Sequence, residues 1–330
     1  MSLAKHVRTL GRGPGRSRAL TRTEAGDAMT QILSGQAAPE AVGALLMLMR
    51  FRGESAPEIA GFVDALRSDT RAWADIGADL DWPSYSAGRT RGLPWFLLSA
   101  KLVSGAGTRV FLHGWNSHQS GAASVRAVLS DIDIPIAVDA PTARANLKSD
   151  GIVYAPLEHL SPNGLRILKL REILGLRSAI NTGLRVMNPT RAGAAVQGVF
   201  HPPYRALQAD AGMLLGQSAL TVIKGGGGEF ERHPGKAVQA FGLRDGILWQ
   251  DSLPALCDDV RRLADTDPDP ENIAGLWRGE YRDPFARSVV VSTAALALET
   301  LGRAAPGQGL SLADQLWRDR AAPAGPETTS

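Results

Sequence analysis

The sequence predicts an α/β protein in two parts, an N-terminal helical bundle and a larger α/β domain. Three observations carry this. Residues 21–70 hold apolar positions at helical spacing between helix start and stop signals. From Leu80 the texture changes to short, β-branched apolar runs alternating with helical stretches, as expected of a sheet with crossover connections. One such run, Thr221 to Lys224, feeds into Gly225, Gly226, Gly227 and Gly228 and then into Glu229 and Glu231.

Met1 to Arg22 carries Lys5, Arg8, Arg12, Arg16, Arg18 and Arg22 without an acid, broken by Gly11, Gly13, Pro14 and Gly15, and reads as an arm. Thr21 to Glu24 has capping-box spacing and opens a helix that places Met29, Ile32 and Leu33 on one side before Gly35. Pro39 suits the first turn of a second helix, which runs to Arg52 and stops at Gly53. Its stretch Val42 to Met49 is apolar nearly all round, so it is expected to be buried between helices or between subunits. Ser55 to Glu58 opens a third helix with Ile59, Phe62, Val63 and Leu66 on one face. Residues 1–76 therefore form the helical domain, joined by helices from about 162–185, and residues 77–330 form the α/β domain.

In the second part, Asp81 to Pro94 reads as loop. Arg109 to His113, Ile134 to Val138, Val196 to Phe200 and Ala219 to Ile223 read as strands. Ser124 to Leu129, Leu165 to Leu174 and Phe285 to Leu301 read as helices, and Ala321 to Ser330 as a disordered tail.

The chain has 330 residues, 44% hydrophobic content and a single cysteine, Cys257. That composition supports a real core, excludes an intrachain disulfide and fits a cytoplasmic protein. The longest apolar runs, Val42 to Met49 and Val289 to Leu298, fall short of the roughly 20 residues a membrane span needs. Net charge is only +3, yet Leu160 to Ala209 holds Arg166, Lys169, Arg171, Arg177, Arg185, Arg191 and Arg205 against Glu172 alone. Such clustering suits a polyanion partner or, alternatively, a solvated face balanced by acids elsewhere.

The glycine run is the strongest chemical signal. Glycines let backbone approach a ligand closely, and successive N–H groups can converge on one anion. Lys224 adds positive charge, and Glu229 and Glu231 offer hard oxygen ligands to a divalent metal. No Gly-Lys-Ser/Thr follows, so this is not a Walker loop. None of the histidines has metal-ligand spacing with a Cys or second His, and no residue is assigned a catalytic role.

Several segments, in order from about residue 18 to 318, resemble the anthranilate phosphoribosyltransferase family, which shares a fold with the pyrimidine nucleoside phosphorylases. They are Leu20-Thr21-Arg22-Thr23-Glu24-Ala25, Ile32-Leu33-Ser34-Gly35, Arg50-Phe51-Arg52-Gly53-Glu54-Ser55, His113-Gly114 with Asn116, Gly175 to Asn181, Asn188-Pro189-Thr190-Arg191, Gly198 to Pro202, and Ser292 to Leu298. The resemblance implies that fold and a phosphate or ligand site drawn from His113, Asn116, Asn188, Arg191, Lys224 and the glycines. Arg171 matches the family's anthranilate-binding arginine, and Mg²⁺ enters, through Glu229 and Glu231, only if phosphoribosyl chemistry is retained.

The chain departs from the family pattern where pyrophosphate would be held. Ser84 to Phe96 lacks the Gly-Thr-Gly-Gly-Asp loop, Ser117 stands in place of the arginine after Asn116, and the metal-binding Asp-Glu pair is reduced to Gly228-Glu229. Together with Asp81 to Tyr85 and Gly88 to Trp95, this resembles a divergent, YbiB-like branch. That likeness implies a homodimer through the helical domain that binds nucleic acid without sequence preference. Arg89, Arg91, Arg166, Lys169, Arg171 and Arg177 are the candidate contacts, single strands are the favoured partner, and Tyr85, Trp95 and Trp115 are candidates for base stacking. The alternative is an active Mg²⁺-dependent phosphoribosyltransferase or glycosyltransferase acting on an aromatic acceptor.

Overall fold

The computed structural model describes residues 2–13, 15–85, 92–115, 124–263 and 269–320. Arg89, Arg91 and Asn116 lie outside the described residues, as does the tail from Ala321.

The first part is built from α1 (Ala4–Gly11), α2 (Arg22–Leu33), α3 (Pro39–Arg52) and α4 (Ala56–Asp69). Thr21 caps α2 by accepting from the Glu24 N–H, and the Glu24 carboxylate accepts from the Thr21 N–H at 2.9 Å. Glu58 does more than close the capping box of α4. Its carboxylate is buried, accepts from Ser55 N at 2.8 Å, and also accepts from Leu20 N at 2.9 Å, which pins the α1–α2 connection to α4. Where α2 crosses α4 the contact is backbone on backbone, because a Cβ added to Gly61 would lie 2.2 Å from the Arg22 carbonyl oxygen. The basic segment expected to be an arm instead forms α1. Its Leu3, His6 and Leu10 share one face and are each 2% exposed, and His6 Nε2 sits 2.8 Å from Asp27 Oδ2. The arginine density masked that short apolar face.

The second part continues as β1 (Leu80–Ser84), α5 (Phe96–Gly105), β2 (Val110–Gly114), α6 (Val125–Val128), α7 (Ala140–Ser149), β3 (Ile152–Pro156), α8 (Leu157–Leu160), α9 (Pro162–Leu174), α10 (Ala179–Val186), β4 (Ala194–Val199), α11 (Tyr204–Leu214), β5 (Ala219–Lys224), β6 (Val238–Arg244), β7 (Ile247–Leu253), α12 (Glu271–Arg278), α13 (Pro284–Thr300) and α14 (Gly309–Asp319). Among the described residues the sheet has seven strands in the order β3-β2-β1-β4-β5-β6-β7. β1 to β5 run parallel, and β6 and β7 add an antiparallel hairpin. β1, β2, β3 and β4 are buried along their whole length, as a parallel sheet covered on both faces requires.

Two strand expectations fail for local reasons. Leu80 to Ser84 is a central strand despite Pro83. β4 pairs only with Leu80 and Asp81, so past Asp81 one side of β1 carries no ladder, which is where a strand tolerates proline. Ile134 to Val138 makes only an isolated bridge, Ile136 to Tyr154, because Pro135 lacks an N–H and Ile136 and Val138 face outward.

α9 and α10 pack against α2 and α4, so the second part of the chain contributes Ile167, Leu168, Ile180 and Leu184 to the core that holds Met29, Leu45, Phe62 and Leu66. α10 also touches β1. α10 therefore joins the bundle to the sheet, as does α11, which packs on α4, β5 and β6. β1, β2, β4 and β5 all end on the same edge, at Ser84, Gly114, Val199 and Lys224, and that edge opens toward α10. In open α/β sheets this carboxyl edge is where ligands bind.

A basic cleft between the two parts as candidate functional site

Two chambers flank α10. The first, of about 60 Å³, is lined by Arg50 of α3, one face of α10 with its approach (Arg177, Ser178, Asn181, Arg185), and the β4–α11 segment with His201 and Tyr204. The second, of about 290 Å³, is lined by Tyr85, Trp115, Lys169, Arg171, Glu172 and Asn181. Asn181 lines both, so the two are neighbours along one cleft.

The cleft is electropositive for a reason visible in the fold. Helices α9 and α10 lie consecutively along it, bringing Lys169, Arg171, Arg177 and Arg185 together, and α3 adds Arg50 from the bundle. Burial pushes the Arg177 guanidinium down to about 10, and the nearby charges of Arg171, Arg185 and Arg50 push in the same direction. Arg185 is 6% exposed, and burial lowers its pKa against the opposing pull of Glu229 and Tyr85. Arg50 Nη1 donates to the Tyr204 hydroxyl at 3.0 Å, and that hydroxyl donates to Glu54 Oε2 at 2.7 Å. Burial and then Glu54 raise the Tyr204 phenol to about 12. Lys169 Nζ lies 5.7 Å from the Trp115 ring centre, a cation–π contact at the chamber wall.

The glycine loop is placed at the same edge, with Gly225, Gly226 and Gly227 half-buried and Gly228 buried. Gly225 N donates to Val199 O, Gly228 N to Gly225 O, and Glu229 N to Gly226 O. Those three amides are used inside the protein, which leaves fewer N–H groups to converge on an anion than the glycine run suggests. The glycines answer to their own packing: a Cβ on Gly225 would lie 1.7 Å from Glu229 O, and Gly227 and Gly228 have φ of 63° and 91°. Lys224 at the end of β5 is exposed. Glu231 is fully buried, and its Oε1 accepts from Phe96 N at 3.0 Å, capping the start of α5. Glu229 is 1% exposed. The two carboxylates expected to share a metal thus have different environments, and among the described residues no group of three His, Cys, Asp or Glu side chains could hold a metal ion.

Other expected site residues separate. His113 is buried on β2, with Nδ1 2.9 Å from the Tyr85 hydroxyl and Nε2 3.3 Å from Asp81 Oδ1, so it reaches the larger chamber only through Tyr85. Burial raises the Tyr85 phenol well above its usual range. Asn188 and Arg191 precede β4 and so lie at the opposite edge of the sheet, not in the cleft. Asn188 is buried in a turn, with Nδ2 donating to Ala192 O and Gln217 Oε1, both at 2.8 Å. Arg166 Nη2 donates to Ile32 O at 2.7 Å at the end of α2, which takes it out of the cationic row. Trp95 is 4% exposed in the core and is no stacking platform. Arg185 and Arg50 were not singled out from sequence as ligand-binding residues. The spacing Arg177, Asn181, Arg185 gave a helix-face signal for the first, whereas Arg50 arrives only through tertiary packing.

Residues 5–69 match the glycosyl transferase family helical bundle domain. Over 282 residues the chain is 31% identical to the anthranilate phosphoribosyltransferase of Geobacillus stearothermophilus, spanning 84% of this chain and 77% of that one. It is 30% identical over 303 residues to the enzyme of Pelotomaculum thermopropionicum, spanning 89% and 87%. The fold matches the crystal structure of anthranilate phosphoribosyltransferase from Thermus thermophilus with a TM-score of 0.79 at 22% identity, covering 98% and 95% of the two chains. It matches the Saccharomyces cerevisiae protein in complex with phosphoribosyl pyrophosphate and Mg with a TM-score of 0.76 at 16% identity, covering 96% and 93%. The chain belongs to the anthranilate phosphoribosyltransferase family.

Proposed function

We propose that this anthranilate phosphoribosyltransferase-like protein uses its interdomain cleft to hold a nucleic-acid strand, without sequence preference, as a cytoplasmic homodimer. The observation that carries this reading is the row of cations Lys169, Arg171, Arg177 and Arg50 along two adjoining chambers, with Trp115 beside Lys169. Guanidinium and ammonium groups neutralise successive phosphates, and an aromatic wall stacks bases of any identity. The use of Glu231 as a helix cap and of three loop amides for internal hydrogen bonds favours this over transfer chemistry. Among the described residues no helix is long and apolar enough to cross a membrane.

The test is a titration of labelled single-stranded DNA at several salt concentrations, with phosphoribosyl pyrophosphate and Mg²⁺ as competitors. The reading expects binding that weakens steeply with salt; absence of binding at low salt would overturn it. The second reading, an active Mg²⁺-dependent phosphoribosyltransferase, draws on the named relatives and on Glu229. It expects tight binding of phosphoribosyl pyrophosphate with Mg²⁺ that Glu229→Gln abolishes.

The dimer rests on Phe51, Ile173 and Leu176, which are 91%, 81% and 55% exposed at the ends of α3 and α9. The end of α9 comes near the start of α3, since a Cβ on Gly43 would meet Leu174 at 3.7 Å. Apolar side chains this exposed on neighbouring helices mark an association surface. Phe51→Glu combined with Ile173→Glu is expected to halve the mass measured by light scattering, and a wild-type protein already monomeric at micromolar concentration would remove the proposal.

A further inference from the structure

The smaller chamber has properties that a strand lying across a cleft does not need. It is small, about 60 Å³. It is set beside a row of guanidiniums from different elements: Arg50 at the end of α3, Arg177 before α10, and Arg185 on the last turn of α10. Ser178, Asn181 and Arg185 recur at three- and four-residue spacing, so one helix face forms the wall.

Arg185 is the decisive residue. It is 6% exposed and lines this chamber. Its Nη1 donates to Asn181 O at 3.4 Å, while its Nη2 is buried without a hydrogen-bond partner. A buried guanidinium N–H left without an acceptor is costly, and proteins keep such a group where a bound partner or a functional role compensates. Two carboxylates act on this set: Glu54 through the Tyr204 hydroxyl that Arg50 also contacts, and Glu229 on Arg185. Arg177 has a different environment, because the charges acting on it, Arg171, Arg185 and Arg50, are all positive.

We infer that this chamber is a seat for one phosphate monoester group, held by Arg177 and Arg185 with Arg50 at its rim. Three guanidiniums present more donors than the two oxygens of a carboxylate can accept, whereas a terminal phosphate offers three oxygens and up to two negative charges. An internal phosphodiester carries a single charge and two free oxygens, so it matches three guanidiniums less well than a terminal phosphate does. The site is distinct from the larger chamber holding Arg171, and the inference does not depend on nucleic-acid binding. Terminal phosphate has two sources, a small phosphorylated compound or the 5′ end of a strand, and both present the same group.

Calorimetric titration with inorganic phosphate at constant ionic strength tests the seat. Wild-type protein is expected to bind, Arg177→Gln to weaken binding roughly tenfold or more, and Arg166→Gln, whose side chain serves the end of α2, to leave it unchanged. Arg185→Gln is expected to act like Arg177→Gln; should the buried change unfold the protein, the half-buried Arg177 carries the test. No phosphate binding by the wild type, or equal binding by Arg177→Gln, overturns the inference. Paired oligothymidylates with a 5′-phosphate or a 5′-hydroxyl separate the sources. A preference for the phosphorylated strand that Arg177→Gln removes supports a strand end. Equal binding of both strands alongside inorganic phosphate supports a small compound. Phosphate binding with no strand binding sustains the seat while removing the nucleic-acid reading.

Discussion

Replacing Gly61 with alanine is expected to destabilise the helical domain by about 3 kcal/mol, near the upper end of what overpacking costs. The added methyl would sit 2.2 Å from Arg22 O, 2.8 Å from Ala25 Cβ and 2.8 Å from Gly26 N. Two of these neighbours are backbone atoms and the third is fixed to backbone, so no side-chain rotation relieves the clash. Helix α2 must move away from α4, which loosens Met29 and Ile32 against Phe62 and Leu66. The helix propensity gained by replacing glycine, about 1 kcal/mol, offsets only part of that loss. Gly105→Ala, at the end of α5 with nothing within 4 Å of the new methyl, supplies the contrast and is expected to be neutral or stabilising by roughly 0.5 kcal/mol. Urea unfolding followed by circular dichroism reads both. Equal stability of Gly61→Ala and wild type would mean that the two helices are not in backbone contact.

The second large effect concerns affinity. Changing Lys169, Arg171 and Arg177 together to glutamine is expected to weaken single-stranded DNA binding about a hundredfold at low salt. The slope of log affinity against log salt should become shallower by about 2, because each lost phosphate contact on a single strand removes about 0.7. Arg166→Gln and Arg191→Gln are the informative controls. Both residues come from the same basic stretch of sequence, yet Arg166 binds the end of α2 and Arg191 sits at the opposite edge of the sheet. If all five positions contributed alike, binding would follow overall charge and not the cleft.

That contrast shows what was legible in the sequence. Local rules sufficed for α2, α3 and α4, since Thr21–Glu24, Pro39 and Ser55–Glu58 mark their helix starts with chemistry that acts within one turn, but not for α1. They failed at β1, because whether Pro83 is tolerated depends on how far β4 runs alongside, which is a tertiary fact. The basic stretch was visible, but helices α9 and α10 and the strand that follows send its members to the cleft, to α2 and to the far edge. The glycine run was visible too, and its position after β5 held. Its donors could not be assigned without knowing that Val199, Gly225 and Gly226 would supply the acceptors.

The Glu231 contact bears on how this edge of the sheet opens. Four consecutive glycines would ordinarily be the segment of lowest local stability, with amides that exchange freely with solvent. Here Glu231 Oε1 holds Phe96 N, so peeling the segment away also uncaps α5. Opening the glycines therefore carries part of the free energy of fraying a core helix whose Phe96, Leu97 and Leu98 are fully buried. The run behaves as part of a cooperative unit with α5, a fixed sill beneath the cleft instead of a hinge.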